Sequence, residues 1–384
     1  MNSLERVKRA FNFEEPDRVP IDAGAFWVTT MSITNHNQLL DMFGVQRSTI
    51  TRDVGAQTAM IDEILLKAFG ADFRPLRQRP PVSWKLEIHE DSNSYYFYDE
   101  YGIKSAMPKI NGYYYDMVEH PLAQASIEDV YSYKGPDFKD KSRVYKMKDE
   151  AQFLSKYTDY AITGDFGGPG IFETAWFLRG FEQFLVDLKQ DEKFACALLD
   201  KVLEMLKEQY DLFLIEIGKY IHVVPVGDDM GSQYGPIISP ELYRKLIKPR
   251  HAEWIKFVKE RTDARVFFHI CGSMKWILPD LIEIGVDIVN PVQVDAVDMD
   301  TSELKKEYGN KVIFWGGGCD THRILNRGNS KDIEEEVKRR IKDLAPGGGY
   351  VFNQVHDIQV GTPPKNIMDM YIFAQKYGRY PLNI

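Results

Sequence analysis

From about residue 160 onward, short apolar runs alternate with longer segments whose apolar residues recur at helical spacing. The runs are typical of buried strands and cover residues 160–166, 221–229, 264–272, 287–292, 311–320 and 350–358. Several of the intervening segments open with Ser, Thr or Asp at expected N-caps and close with Gly. Regular alternation of strand and helix predicts parallel strands with right-handed crossovers. The count of alternating units favours an α/β fold of the (β/α)8 barrel type over an open sheet.

The region from about 75 to 150 has a different pattern. Polar and apolar positions alternate along it, and turn residues interrupt it, which predicts two to four antiparallel strands. No internal repeat, low-complexity segment or flexible linker separates it from the rest of the chain. We therefore expect a single domain over residues 1–384, a barrel that carries a small β-rich insertion in its N-terminal third.

Composition and charge restrict the class of protein. The chain has 384 residues, of which 44% are hydrophobic and 27% charged, as is usual for a soluble globular protein. A net charge of -9 argues against sequence-independent nucleic-acid binding, which needs clustered Lys and Arg. We see neither a signal-peptide core nor a run of about 18 apolar residues. The expectation is a cytoplasmic protein that binds no membrane and no nucleic acid.

Polar or small residues stand at the ends of all the predicted strands. In parallel barrels the carboxyl ends of the strands meet at one mouth, where the following loops build the active site. The polar residues that are expected to line this mouth are Asp165, Asp228, Asp229, His269, Cys271, Asn290, Cys319, Asp320, Asn353 and His356.

His269, Cys271 and Cys319 suggest a metal site within that set. His269 and Cys271 are two positions apart, so in a strand their side chains point to the same face. Cys319 stands at the end of a later predicted strand. One His and two Cys suit zinc, and three protein ligands leave the open fourth position of a catalytic zinc site. The alternative is that these are ordinary residues at the ends of buried strands.

Several separated segments resemble the uroporphyrinogen decarboxylase superfamily. They read FEEPDRVPID near the N-terminus, then GDDMGSQYGPIISPELYRKLIKPR, HICG, WGGGCDT and NQVHDIQVGTPPKNIMDMY. Within the superfamily, the HxC…C pattern resembles the zinc-dependent corrinoid methyltransferases, which move methyl groups to or from a methylcobamide carried by a separate protein. The resemblance implies a (β/α)8 barrel and zinc ligation by His269, Cys271 and Cys319.

Five further residues are candidates for the site, and three of them have alternative interpretations. Asp228 and Asp229 position a substrate group, orient His269 or supply a fourth metal ligand, or else they cap and anchor the next helix. His356 contacts the substrate or the cobamide, or pairs with a neighbouring carboxylate. Asn290 and Asn353 are weaker candidates for cofactor binding.

The leading hypothesis is a zinc-dependent methyltransferase that works with a corrinoid protein. The methyl group moves between the corrinoid and a thiol or a methoxylated or methylated small molecule, and a homo-oligomer is compatible with this function. One alternative is a metal-free decarboxylase, but residues 26–38 lack the arginine-rich signature of that branch. Arg74, Arg77 and Arg79 stand in another context. The other alternative is a non-catalytic barrel that binds a corrinoid or another ligand.

Overall fold

The computed structural model describes all 384 residues and places a curled parallel sheet at the centre of the molecule. The strands, numbered along the chain, are β1 (Thr51–Asp53), β2 (Thr58–Ala59), β3 (Phe73–Arg77), β4 (His89–Glu90), β5 (Ser94–Tyr98), β6 (Lys104–Pro108), β7 (Asp116–Glu119), β8 (Ala161–Asp165), β9 (Val223–Gly227), β10 (Gly231–Ser232), β11 (Gly235–Pro236), β12 (Arg265–His269), β13 (Ile288–Asn290), β14 (Ile313–Trp315) and β15 (Tyr350–Val351).

Helices cover the outside of this sheet. They are α1 (Ser3–Phe11), α2 (Ile33–Met42), α3 (Glu63–Phe69), α4 (Ile127–Ser132), α5 (Met147–Tyr157), α6 (Ile171–Arg179), α7 (Phe181–Gln190), α8 (Glu192–Ile217), α9 (Pro240–Leu242), α10 (Lys248–Lys259), α11 (Leu278–Glu283), α12 (Thr301–Tyr308), α13 (Ile324–Arg327), α14 (Ser330–Leu344) and α15 (Pro364–Tyr377). A 3₁₀ turn spans Lys141–Val144, and a π-helical turn, Tyr243–Ile247, joins α9 to α10.

The central sheet has seven parallel strands in the order β15-β14-β13-β12-β9-β8-β3. Six of its strands, β8, β9, β12, β13, β14 and β15, lie within the apolar runs that predicted them, and helices follow most of them as expected. The predicted parallel α/β architecture is therefore confirmed. No helix in the fold combines the length and the apolar character that crossing a membrane requires.

Two positions of the barrel were not predicted. The strand β3 was assigned to the insertion, because Arg74, Pro75 and Arg77 interrupt its apolar pattern. Ile21 forms a parallel bridge to Phe352, and its carbonyl accepts a 2.8 Å hydrogen bond from the backbone N–H of Asp72. The segment around Ile21 thus lies between β15 and the start of β3 and takes the eighth position of the barrel.

Alternate residues of each strand point to opposite faces, and two separate clusters show which face is which. One cluster fills the barrel interior, where Phe26 packs against Phe267 and Trp315 at ring-centroid distances of 4.3 and 5.5 Å. The larger cluster lies between the sheet and the helices. Every second residue of a strand points to the same face, so the inward face can be followed from these interior residues to the ends of the strands. The last inward-facing residues of four strands are Arg77, Asp165, His269 and Asn290.

The predicted β-rich insertion is confirmed as a four-stranded antiparallel sheet in the order β4-β5-β6-β7. It spans residues 89–119, a shorter stretch than the predicted 75–150. A buried ion pair between Arg143 and Glu100 and the 2.7 Å hydrogen bond from Tyr133 Oη to the carbonyl of Tyr101 attach it to the following chain. The sheet is therefore an elaboration of the barrel's N-terminal third.

Candidate metal centre

The end of β12 places a histidine and a cysteine side by side at the mouth. His269 is the last residue of β12, and the backbone N–H of Ile270 still donates to the carbonyl of Asn290 at 2.7 Å. Because the chain stays extended, Cys271 points to the same face, and its Sγ lies 3.3 Å from His269 Nε2. A tetrahedral zinc ion with bonds of about 2.3 Å to sulfur and about 2.0 Å to nitrogen would hold these atoms at about this separation.

Asn290 fixes the orientation of the His269 ring. Its side-chain N–H donates to the carbonyl of Trp315 at 3.0 Å, so its oxygen faces His269 Nδ1 at 2.7 Å. The hydrogen bonds therefore assign the proton to Nδ1 and leave the lone pair of Nε2 directed toward Cys271. Burial lowers the pKa of His269, which keeps the ring neutral at pH 7. Asn290, predicted to bind a cofactor, lies behind His269 as its support.

His356 completes a group of three ligand-type side chains. A ligand atom of His356 lies within 4.8 Å of those of His269 and Cys271. The two imidazole rings are 5.3 Å apart and nearly perpendicular, and the backbone N of Asp357 is 2.7 Å from His356 Nδ1. Two imidazoles and one thiolate suit zinc and leave a fourth position free, so the donor set fits this metal.

The structure does not bring Cys319 to this group, although the sequence predicted it as the third ligand. Cys319 is fully buried, and its Sγ contacts the carbonyl of Asp320 at 3.9 Å. Burial, and then Glu336 on α14, raises the pKa of its thiol. The side chain thus faces the layer between the sheet and α14. The cause is the turn at Gly316 and Gly317, whose φ angles of +92° and +72° end the extended backbone before the cysteine.

The two aspartates after β9 have different surroundings. Asp229 points inward, where its Oδ1 accepts the Cys271 N–H at 2.7 Å and lies 3.6 Å from His269 Nε2. Asp228 points outward and is fully buried. It accepts 2.7 Å hydrogen bonds from the N–H groups of Phe172 and Glu173 at the start of α6, and it contacts His251 Nε2 at 2.9 Å. Asp228 therefore anchors α6, which precedes β9 in the chain, and not the N-terminus of the next helix as one of the two interpretations had it.

Asn353 also lies away from the metal-ligand group. It is fully buried, and its side-chain N–H donates to the carbonyl of Asp22 and to Gln354 Oε1, each at 3.0 Å. Its Oδ1 has no hydrogen-bond partner. These contacts attach the chain after β15 to the N-terminal segment.

Glu173 is a site residue that the sequence analysis missed. Its Oε2 accepts the backbone N–H of Asp229 at 3.0 Å, and burial, followed by Asp229 and Asp228, raises its pKa well above the usual range. Burial beside two carboxylates therefore favours the protonated form of this carboxyl. The only signal in the sequence is its position, third in a helix that follows the glycine-rich end of β8. Burial likewise raises the pKa of the Cys271 thiol, with Asp229 as the next contribution.

Comparisons with known proteins agree with the fold and with the resemblance seen in the sequence. The uroporphyrinogen decarboxylase (URO-D) family model matches residues 99–377. Uroporphyrinogen decarboxylases from Synechocystis sp. and Microcystis aeruginosa are 29% and 26% identical over 185 and 181 residues, in each case 47% of this chain and 47% of the relative. The chain thus matches about half the length of these curated relatives.

A solved structure covers almost the whole chain. A methyltransferase from Methanosarcina mazei superposes with a TM-score of 0.64 over 98% of this chain and 99% of its own, at 16% sequence identity. At this identity the likeness shows the shared fold, and it confirms the barrel architecture predicted from the strand-helix alternation. With the family match over residues 99–377, the superfamily resemblance is confirmed, and the chain belongs to the uroporphyrinogen decarboxylase family.

Proposed function

We propose that this protein is a zinc-dependent methyltransferase that moves a methyl group between a corrinoid on a partner protein and a small molecule. The small molecule is a thiol or a methoxylated or methylated compound. The observation that carries the proposal is the group of His269, Cys271 and His356 at the barrel mouth, with its ligand atoms within 4.8 Å of one another. The methyltransferase fold of the solved neighbour supports it.

The proposed ligand set has His356 where the sequence predicted Cys319. His269 and Cys271 come from one strand end, and His356 reaches the same point from the chain beyond β15. When bound, zinc would hold a substrate thiol as thiolate or act as a Lewis acid on a methyl-bearing heteroatom. Asn290 supports the set by keeping the Nε2 lone pair of His269 free.

The other polar side chains of the mouth have distinct tasks in this proposal. Asp229 holds the backbone of Cys271 in place through its N–H and lies beside the His269 ring. The carboxyl of Glu173 accepts the backbone N–H of Asp229, and burial raises its pKa, which favours its protonated form. A protonated carboxyl of raised pKa suits a general acid, which would protonate a leaving heteroatom when the small molecule is the methyl donor.

A metal-free decarboxylase remains the second candidate, because the curated relatives are decarboxylases. The structure contains an inward-facing arginine, Arg77, which such an enzyme would use on substrate carboxylates. A decarboxylation that uses no metal, however, leaves the proximity of His269, Cys271 and His356 without a purpose. Metal content therefore separates the two candidates.

The test combines metal analysis with a methyl-transfer assay. Protein purified with zinc should contain about one zinc per chain. It should convert methylcobalamin and a thiol to the methyl thioether and cob(I)alamin, with the Co–C electron pair remaining on cobalt. His356→Ala should lose both properties, and Cys319→Ala should keep both. Wild-type protein that holds no zinc after loading would contradict the proposal, and carbon dioxide release from a porphyrinogen would favour the decarboxylase.

A further inference from the structure

A second polar cluster lies in the barrel mouth at the ends of β3 and β8. Arg77 and Asp165 are the last residues of these strands and are direct partners in the parallel register. Both point inward, since each lies an even number of positions from an interior residue of its own strand, Phe73 or Ala161. Arg52, from β1, forms a bidentate ion pair with Asp165.

This cluster has more positive charge than its carboxylate neutralises. Asp165 is the one carboxylate at the ends of these two strands and pairs with Arg52, while the one side-chain hydrogen bond that Arg77 makes goes to the carbonyl of Arg52. Arg52 is 6% exposed, and its Nε is buried without a hydrogen-bond partner. Burial, and then the charge of Arg52, lowers the pKa of Arg77, as is expected of a cation that lacks a full counter-charge.

Two other carboxylates influence the cluster without neutralising it. Asp53 is exposed and accepts a hydrogen bond from the backbone of Ala56 at 2.7 Å, so solvent screens its effect on Arg77. Asp357 accepts the N–H of Thr30 at 2.8 Å. Neither carboxylate pairs with Arg77, whose side chain bonds only to the carbonyl of Arg52, so Arg77 keeps donors for an anion from outside.

The arginine cluster and the metal-ligand group belong to one mouth. Asp357 is electrostatically coupled to both Arg52 and His269 and directly follows His356. Trp27 lies between the two parts. Its ring centroid is 6.3 Å from that of His269, and a Cβ added to Gly167 would lie 2.5 Å from Cζ3 of its indole. Gly167 comes two residues after Asp165, so the indole extends from the metal-ligand group toward the arginines.

We propose that Arg77, supported by Arg52, binds a carboxylate group of the small-molecule substrate while the heteroatom that gains or loses methyl lies at the His269–Cys271–His356 group. The substrate is then a small organic acid. A guanidinium presents paired N–H donors that match the two oxygens of a carboxylate, and Asp165 already holds Arg52 in this way. This inference rests on the proposed function for the role of the acid, but the carboxylate site itself can be tested without zinc.

The experiment measures binding of matched acids and amides by isothermal titration calorimetry. The probes are benzoate against benzamide and methoxyacetate against methoxyacetamide, which differ mainly in charge. Wild-type protein should bind at least one acid about tenfold or more tightly than its amide. Arg77→Gln should remove this preference. Arg79→Gln is the control, because it changes net charge equally at an exposed residue that pairs with Glu150.

Arg77→Lys provides a second variant in case Arg77→Gln does not fold. It keeps the charge but loses the paired donors, so part of the preference should remain. Wild-type protein that binds neither acid more tightly than its amide overturns the proposal. So does an unchanged preference in folded Arg77→Gln or Arg77→Lys. Zinc is measured on the same samples: wild-type protein that binds zinc but shows no acid preference removes this inference alone, whereas wild-type protein that shows the preference but binds no zinc removes the proposed function alone.

Discussion

The ends of β12 and β14 look alike in the sequence but place their cysteines on opposite sides of the barrel wall. HICG and GGGCD each follow an apolar strand and each contain a cysteine. Cys271 lies at the mouth beside His269, whereas Cys319 is buried against α14. Proximity to a strand end therefore does not determine whether a side chain reaches the active-site mouth.

The difference comes from how far the extended backbone continues. After His269, pairing with β13 continues through Ile270, so the alternation of faces still holds at Cys271. After Trp315, two glycines with positive φ turn the chain, although Gly318 N–H still donates to the carbonyl of Asn353 at 2.8 Å. The rule that every second residue shares a face holds only up to the first residue with a left-handed backbone conformation. A ligand prediction that uses this rule should not extend beyond that residue.

The largest expected effect tests the two cysteines directly. Cys271→Ala should lower zinc affinity by at least about a hundredfold, because a thiolate ligand is removed from a set of three. Cys319→Ala should leave zinc content unchanged and cost about 1 kcal/mol of stability from a small cavity. Zinc per chain by mass spectrometry after dialysis is the measurement. Equal zinc loss in both variants would show that Cys319 also binds zinc. The two cysteines would then not differ in role.

The two aspartates after β9 provide a second opposed pair. Asp228→Asn removes a buried charge from two α6 N–H groups and from His251, so we expect a loss of about 3 kcal/mol in the free energy of unfolding. Asp229→Asn should lose less than about 1 kcal/mol, since this side chain is partly exposed. Denaturant midpoints measure both. A larger loss for Asp229→Asn would contradict the assignment of inward and outward faces.

A smaller effect is expected behind the His269 ring. Asn290→Ala removes the acceptor for Nδ1–H and should weaken zinc binding by about 10- to 100-fold, while Asn290→Asp keeps an acceptor and should bind nearly as well as wild type. Competition with a zinc chelator gives the affinities. If Asn290→Ala binds zinc as tightly as wild type, the hydrogen bond does not set the ring orientation.

The smallest expected effect concerns His36, a histidine that is buried outside the mouth and has a structural role. His36 is 1% exposed, Thr49 Oγ1 lies 2.8 Å from its Nδ1, and burial lowers its pKa to about 4. Its unfolded pKa is about 6.5, so its stability contribution is complete above that pH and decreases as pH falls toward 4. Between pH 7 and 5.5 the loss is about 1 kcal/mol. Denaturation of His36→Gln should lack this component, with zinc content unaffected.

The sequence was sufficient for most of the barrel and for two of the three candidate ligands. Continuous apolar runs predicted six strands of the central sheet, and the spacing of His269 and Cys271 predicted their common face. The strand β3 escaped prediction, because the pattern Arg-Pro-Leu-Arg has no continuous apolar run. Its inward arginine was consequently left without a role.

The contacts of residues on the irregular chain between elements were not predicted, and His356, which was expected at the mouth, was not expected among the metal ligands. His356 comes five residues after the last residue of β15, where no periodicity indicates a direction. Arg52 reaches Asp165 from a short strand outside the barrel. The position of Cys319 depended on backbone dihedral angles at Gly316 and Gly317, which the sequence permits but does not specify.

The bridge between Ile21 and Phe352 has a consequence for the order in which the chain acquires its structure on the ribosome. Asp22, next to Ile21, accepts from the Asn353 side chain, a contact between residues 331 positions apart. The segment around Ile21 is made well before its strand partner, which follows 331 residues later along the chain. Until that partner is made, the apolar side chains of Phe26 and Trp27 cannot be buried in a complete barrel. Pairing between residues so far apart in the sequence forms slowly. Nascent chains should therefore depend on chaperone protection of this segment more than on any later one.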